Sequence, residues 1–398
     1  MRNLSFVEKL LDGFEVEWKP LGQLGEFIRG NGLQKKDFVD NGFPAIHYGQ
    51  IYTKYGLSAD KTFTFVSNEL AVKLKKAIKN DLLLATTSEN DEDVVKPLAW
   101  LGEQAAISGD MMLFRHSENV KYLAYCFQTN AFQEQKRKYI TGAKVRRVSS
   151  GDLAKVEVPI PCPDNPEKSL AIQAEIVRIL DAFTAMTAEL TAELNLRKKQ
   201  YNYYREKLLA SELPSSKTAT LGEILDMRAG KHIKAKDISA IKNTEHKYTC
   251  FGGNGSRGFV QEYSHEGDYA LIGRQGALCG NVKRAKGKFY ATEHAVVCTP
   301  KEEIDIDWAF HMLTFMNLNQ YKSQSAQPGL AVGNLANLTI IVPPISEQKK
   351  IAKILNQFDT LTTSLQEGLP REIELRQKQY EYYRDLLLSF PQPKEVVA

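Results

Sequence analysis

Cysteine is scarce. Five residues, Cys126, Cys162, Cys250, Cys279 and Cys298, are scattered over 398 positions and never form a C-x-x-C pair. That argues against a disulfide framework and a zinc site and fits a reducing cytoplasm. Long apolar runs are missing too: none approaches the roughly 18 residues needed to cross a bilayer. The opening Met1-Arg2-Asn3-Leu4-Ser5 leads into a charged amphipathic stretch without a signal-peptide block, so the chain is expected to be cytoplasmic, with no membrane partner. Charge of one sign is not in excess either. With 52 basic and 48 acidic side chains the net charge is only +4, and only its distribution can speak about nucleic acid.

Catalytic signatures are absent as well. There is no Walker box, no Asn-Pro-Pro-Tyr-type methyltransferase motif, no nuclease carboxylate-lysine cluster, no H-E-x-x-H and no G-x-S-x-G. The seven histidines, His47, His116, His232, His246, His265, His294 and His311, lack metal spacing. Glu293-His294 as a catalytic pair is a weak reading beside an ordinary hydrogen-bonded histidine. A recognition protein without chemistry of its own is expected, with no catalytic, metal or cofactor site in this chain.

What is present is a repeat. The stretch from Ile172 to Phe183 recurs from Glu347 onward, with Gln173, Ile176, Ile179, Leu180 and Phe183 each matched 175 positions later. Arg197-Lys198-Lys199-Gln200-Tyr201-Asn202-Tyr203-Tyr204-Arg205 recurs as Arg376-Gln377-Lys378-Gln379-Tyr380-Glu381-Tyr382-Tyr383-Arg384, at an offset of 179. The second copy has gained four residues, about one helical turn. Each copy follows an apolar strand ending in proline, 156–161 and 338–344, where proline stops the strand and introduces a helix. Pro20-Leu21-Gly22 and Thr220-Leu221-Gly222 begin the two longer segments alike. The order is globule, helix, globule, helix.

Apolar residues at Ile172, Ile176, Ile179, Phe183, Met186 and Leu190 alternate steps of four and three, a coiled-coil seam. A stutter follows at the tandem Thr187-Ala188-Glu189-Leu190-Thr191-Ala192-Glu193-Leu194. Gly368 and Pro370 should interrupt the second helix. The two helices are expected to pair as an antiparallel coiled coil separating two pseudo-symmetric globules. Those globules read as α+β, with short strands near 82–87, 111–114, 269–272 and 295–298 and helices near 120–128 and 307–317. The domains expected are 1–163, 164–213, 214–344 and 345–398.

Cations interleave with amide, hydroxyl and aromatic side chains in both globules, a pattern of phosphate clamps and base readers, although basic runs are more often solvated faces. The glycines of Phe251-Gly252-Gly253-Asn254-Gly255-Ser256-Arg257-Gly258 fit an Asn-Gly hairpin turn needing positive φ. They equally fit a close backbone approach to nucleic acid, with Arg257 beside them.

The segment from Pro161 to Leu170, the Thr-Ala-Glu-Leu tandem, Arg197 to Arg205 and Glu367 to Arg376 closely resemble the repeated regions of specificity subunits of type I restriction-modification systems, in the type IC branch. The resemblance covers the whole architecture. It implies a bipartite duplex DNA target, one half read by each globule. It also implies two methylation subunits docked on the helices, using S-adenosylmethionine to methylate adenine N6, and restriction subunits using ATP and Mg²⁺. Those cofactors belong to the partners. The DNA contacts expected are Lys35, Lys36, His47, Tyr48, Gln50, Lys54, Thr86, Thr87, Ser88 and Arg146 in the first globule. In the second they are Lys231, Lys234, Asn254, Gly255, Ser256, Arg257, Arg274 and Gln275, with Arg274 as the leading base reader. Partner contacts are expected at Tyr201, Tyr204, Arg205, Tyr380, Tyr383 and Arg384. A free-standing homodimeric DNA-binding or scaffold protein and an RNA-binding adaptor are the other classes open.

Overall fold

The structure is a computed structural model that describes residues 6–11, 13–211, 213–276, 278–324 and 328–390. Met1 to Ser5 and Asp12 of the opening segment lie outside the described residues. The chain forms two compact units, residues 1–188 with 374–398, and residues 189–373. The boundary falls inside the Thr-Ala-Glu-Leu tandem. Each unit therefore takes one half of each helical region.

In the first unit the strand Val16–Pro20 pairs antiparallel with Glu157–Pro161. A five-stranded sheet follows, in the order Gly25–Arg29, Met111–His116, Leu82–Ala85, Lys96–Trp100 and Ser58–Ala59, with only the last pairing parallel. All four residues of the central strand Leu82–Ala85 are fully buried. Short strands form a second five-stranded sheet, in the order Phe38–Val39, Thr64–Val66, Phe43–Ile46, Ala105–Ile107 and Lys76–Ala77.

The second unit repeats the plan without the second sheet. Lys217–Thr220 pairs antiparallel with Thr339–Val342. The main sheet runs Leu225–Ala229, Ala295–Pro300, His265–Gly273, Val282–Ala291, Tyr248–Gly252 and Gly255–Val260. Here too the fifth strand is parallel to the fourth. The equivalence extends to single contacts. Leu21 N donates to Val156 O at 2.9 Å, and Leu221 N to Leu338 O at 2.8 Å. A Cβ on Gly22 would stand 3.1 Å from that of Ala154, and one on Gly222 3.1 Å from that of Ala336. The buried Gln173 accepts from Asn119 N at 2.9 Å, while Gln348 accepts from Asp305 N at 2.8 Å. Each glutamine thereby ties the repeated helix to the N-cap of the helix beside it, Val120–Cys126 or Ile306–Phe315.

The first repeated helix, Pro166–Leu209, is continuous over 44 residues. The second is split into Ile345–Thr363 and Leu369–Leu388. Gly368 sits at the break with φ +98°, and a Cβ there would meet the Thr360 carbonyl at 2.5 Å, so this position is reserved for glycine. Seam aromatics pair inside each unit. Phe183 stacks on Tyr383 at 5.2 Å in the first, and Phe358 on Tyr204 at 5.7 Å in the second. These are the same two repeat positions in exchanged order.

Candidate DNA-recognition clefts

The central strand of the first unit ends at Thr86, whose N–H donates to Asp110 O at 3.1 Å. Thr87–Ser88 then leaves the sheet and forms a short ribbon with Arg146–Arg147, Ser88 opposite Arg146 and Thr87 opposite Arg147. Below it, the Tyr52 hydroxyl from the helix Tyr48–Thr53 donates to Thr87 O at 2.8 Å. Lys136 is 1% exposed, and its ammonium donates to Glu92 O and Val94 O, both at 2.9 Å. Burial, only partly offset by Asp93 and Asp91, lowers its pKa to about 8. The adjoining Val95 carries φ +67°, an outlier for a β-branched residue that its surroundings must hold in place. Thr86, Thr87, Arg147, Ser149 and Arg29 line a cleft of about 290 Å³. The Thr87 hydroxyl is buried there with no hydrogen-bond partner.

The second unit has its cleft at the matching strand end. Arg274 N donates to His294 O at 2.9 Å, the counterpart of the Thr86 bond to Asp110. Asn254, Arg257, Gln275 and His294 line about 540 Å³ of open space. Arg274 Nε and His294 Nδ1 are buried without a partner. Glu293 Oε1 lies 2.9 Å from His232 Nδ1 and 3.4 Å from His294 Nε2.

Several expected residues also make contacts within the protein. His47 and Gln50 are each only 7% exposed. The His47 ring accepts from Gly49 N and Gln50 Oε1 accepts from His47 N, so the pair caps the helix Tyr48–Thr53. Their spacing of three, that of a capping box, was the missed signal. Arg146 is held by Asp91 at 2.7 Å. Lys54 lies over the Phe63 ring at 5.6 Å, and Tyr48 is half-buried against His47. Lys35 and Lys36 are exposed on a short turn; in the second unit Lys231, bridged to Thr292, and Lys234, before the short turn Ala235–Asp237, are exposed as well. Ser256 is exposed and Gly255 buried in the hairpin. There the positive φ of +99° falls on Gly255, just after the Gly253-Asn254 turn. The glycines serve an internal approach: a Cβ on Gly273 would come within 1.8 Å of Gly253 O.

The helical residues are also committed internally. Tyr201 is 8% exposed, stacked on Phe358 and covered by the Arg205 guanidinium. Tyr380 donates to Gln128 Oε1 at 2.8 Å, with Arg384 over its ring. Tyr204 and Tyr383 make the stacks described above. Tyr204 is nevertheless 37% exposed, and the neighbours Tyr203 and Tyr382 are exposed further still.

Two stretches, residues 15–197 and 215–375, match the family described as the type I restriction modification DNA specificity domain. The chain belongs to the type I restriction-modification specificity subunits. It is 48% identical over 379 residues to the type I restriction enzyme EcoprrI specificity subunit of Escherichia coli, covering 92% of this chain and 93% of that one. It is 36% identical to the EcoR124I/EcoR124II specificity subunit of the same organism, over the full length of both. The fold matches the type I S subunit from M. genitalium with a TM-score of 0.61 at 16% identity, over 96% of this chain and 98% of that one. The matched sequence of this chain falls into two stretches. Among the described residues of this one, no helix is long and apolar enough to cross a membrane.

Proposed function

We propose that this cytoplasmic chain reads a bipartite duplex DNA target, one half per unit, and carries no catalytic group of its own. It directs adenine-N6 methylation by two methylation subunits and ATP-dependent cleavage by restriction subunits. S-adenosylmethionine, ATP and Mg²⁺ are used in those partners. The recognition domains are 1–163 and 214–344, joined by the helical regions 164–213 and 345–398, and the repeated motifs support membership of the type IC branch. The observation that carries this reading is the pair of equivalent clefts, each at the end of the central strand and each holding buried polar atoms without a protein partner. Buried donors and acceptors left unpaired cost about 1–3 kcal/mol, and base edges would satisfy them. Lys35, Lys36, Lys54, Lys231 and Lys234 serve as phosphate contacts around the clefts. Tyr48, Thr86, Thr87, Ser88, Asn254, Ser256, Arg257, Arg274 and Gln275 approach the groove. The methylation subunits dock on the helices at Tyr201, Tyr204 and Arg205 in one unit and at Tyr380, Tyr383 and Arg384 in the other, beside the exposed Tyr203 and Tyr382, with Leu196 and Leu375 one heptad earlier. These last four are 58%, 64%, 60% and 44% exposed and recur at the 179-residue offset, as two copies of one partner require.

The test is methyl transfer to duplex DNA by the chain alone and by its complex with methylation subunits. Only the complex should act, on a single two-part motif. Robust transfer by the isolated chain refutes the proposal, as does preference for RNA over duplex DNA in direct competition.

A further inference from the structure

The two clefts differ in where their arginines stand. Thr86 and Arg274 are equivalent, each donating its N–H across the sheet to the residue before the neighbouring strand, Asp110 or His294. One residue on, Thr87 pairs with Arg147, and Gln275 pairs with Gly329. The backbone behind that partner also matches: Thr141 N donates to Arg147 O and Ser323 N to Gly329 O, both at 2.9 Å. Arg147 of the first unit thus occupies the place of Gly329, and Thr86 the place of Arg274. An arginine is supplied at the strand end in both units, from opposite sides of the ribbon.

Alternation along the ribbon separates the two neighbouring arginines of the first unit. Arg146 turns to Asp91 and Gly142. Arg147 is exposed, lines the cleft, and its guanidinium has no protein partner among the described residues. Thr87 beside it is 7% exposed, and its hydroxyl is buried and unpartnered. A free planar fork of donors next to an unsatisfied hydroxyl fits a base edge presenting two acceptors, and guanine O6 and N7 form that edge in the major groove.

Resting on the DNA-recognition reading above, we infer that Arg147 is the specificity-determining arginine of the first unit. It reads a guanine of the first half-site, while Arg146 is a positioning residue that fixes the ribbon through Asp91.

The experiment selects preferred sites from randomised duplexes with the assembled complex, comparing wild type with Arg147→Ala, Arg147→Lys, Arg146→Ala and Arg274→Ala. Arg147→Ala should lose discrimination at one G·C position by roughly ten- to a hundredfold and leave the half-site altered by Arg274→Ala untouched. Arg147→Lys keeps the charge without the fork, so specificity at that position should still fall while total binding changes little. Arg146→Ala should weaken binding without changing the preferred bases. Thermal unfolding of each variant distinguishes loss of reading from loss of folding, and Arg147→Lys carries the test if Arg147→Ala is unfolded. An unchanged motif, a uniform loss on every sequence, or relaxation at an A·T position overturns the inference. A wild-type complex without any sequence preference overturns the DNA-recognition reading and this inference with it.

Discussion

Replacing the buried Lys136 by methionine tests how the first cleft is held. The ammonium donates to two carbonyls of the 89–95 segment, and hydrogen bonds to a charged group contribute about 1.5–3 kcal/mol each. Against this stands the cost of burying the charge. With its pKa lowered from 10.5 to about 8, that cost is about 3 kcal/mol at 1.36 kcal/mol per pH unit. Lys136→Met should therefore destabilise the first unit by about 0–3 kcal/mol at pH 7, less than the bonds alone suggest. The pH dependence is the sharper signature. Below pH 8 the lysine is protonated in both the folded and unfolded chains. Between about pH 8 and 10.5 the unfolded chain holds the proton that the folded one has released, so wild-type stability rises with pH relative to the variant. Denaturant unfolding of both proteins at pH 7, 8, 9 and 10 measures the difference, which should be flat below 8 and then widen by at most about 1.4 kcal/mol per pH unit. A difference that stays constant, or narrows with pH, refutes the assignment of Lys136 as a charge held against desolvation. Loosening the segment should also lower affinity for the first half-site without changing its sequence.

Arg274→Ala should relax or abolish one half-site at a cost of about 1–3 kcal/mol if the guanidinium reads a base. Equal weakening on all sequences, measured by competition between duplexes, would make it a phosphate contact instead. Inserting a third Thr-Ala-Glu-Leu unit after Leu194 adds about 6 Å and about 40° to the helix, against about 3.4 Å and 34–36° for one base pair. Since the tandem spans the boundary between the compact units, both half-sites should persist while the unspecified gap grows by about one base pair. Methylome sequencing of a strain carrying the variant decides this: an unchanged gap makes the tandem a passive stretch of helix, and altered half-sites make the helix a participant in base recognition.

The repeat, the helices and the break near Gly368 were legible in the sequence because they are local patterns. Spacing of four and three marks a helix wherever it occurs, and a copied segment needs no partner to be recognised. The apolar runs at 82–87 and 269–272 marked the strands Leu82–Ala85 and His265–Gly273 for the same reason. Which polar residues remained available was decided by tertiary structure. His47 and Gln50 stand in an aromatic, basic stretch that suggested DNA contacts, and the fold adds that their side chains cap a helix end. Tyr201 and Tyr380 carry the repeat motif but are drawn into the cores, because residues far along the chain, Phe358 and Gln128, meet them there. The division between Arg146 and Arg147 is of the same kind. Adjacent strand residues must point opposite ways, but which of the two faces the cleft depends on Thr87 and Asp91, more than fifty positions upstream. Long-range pairing assigns each side chain its face, and composition cannot.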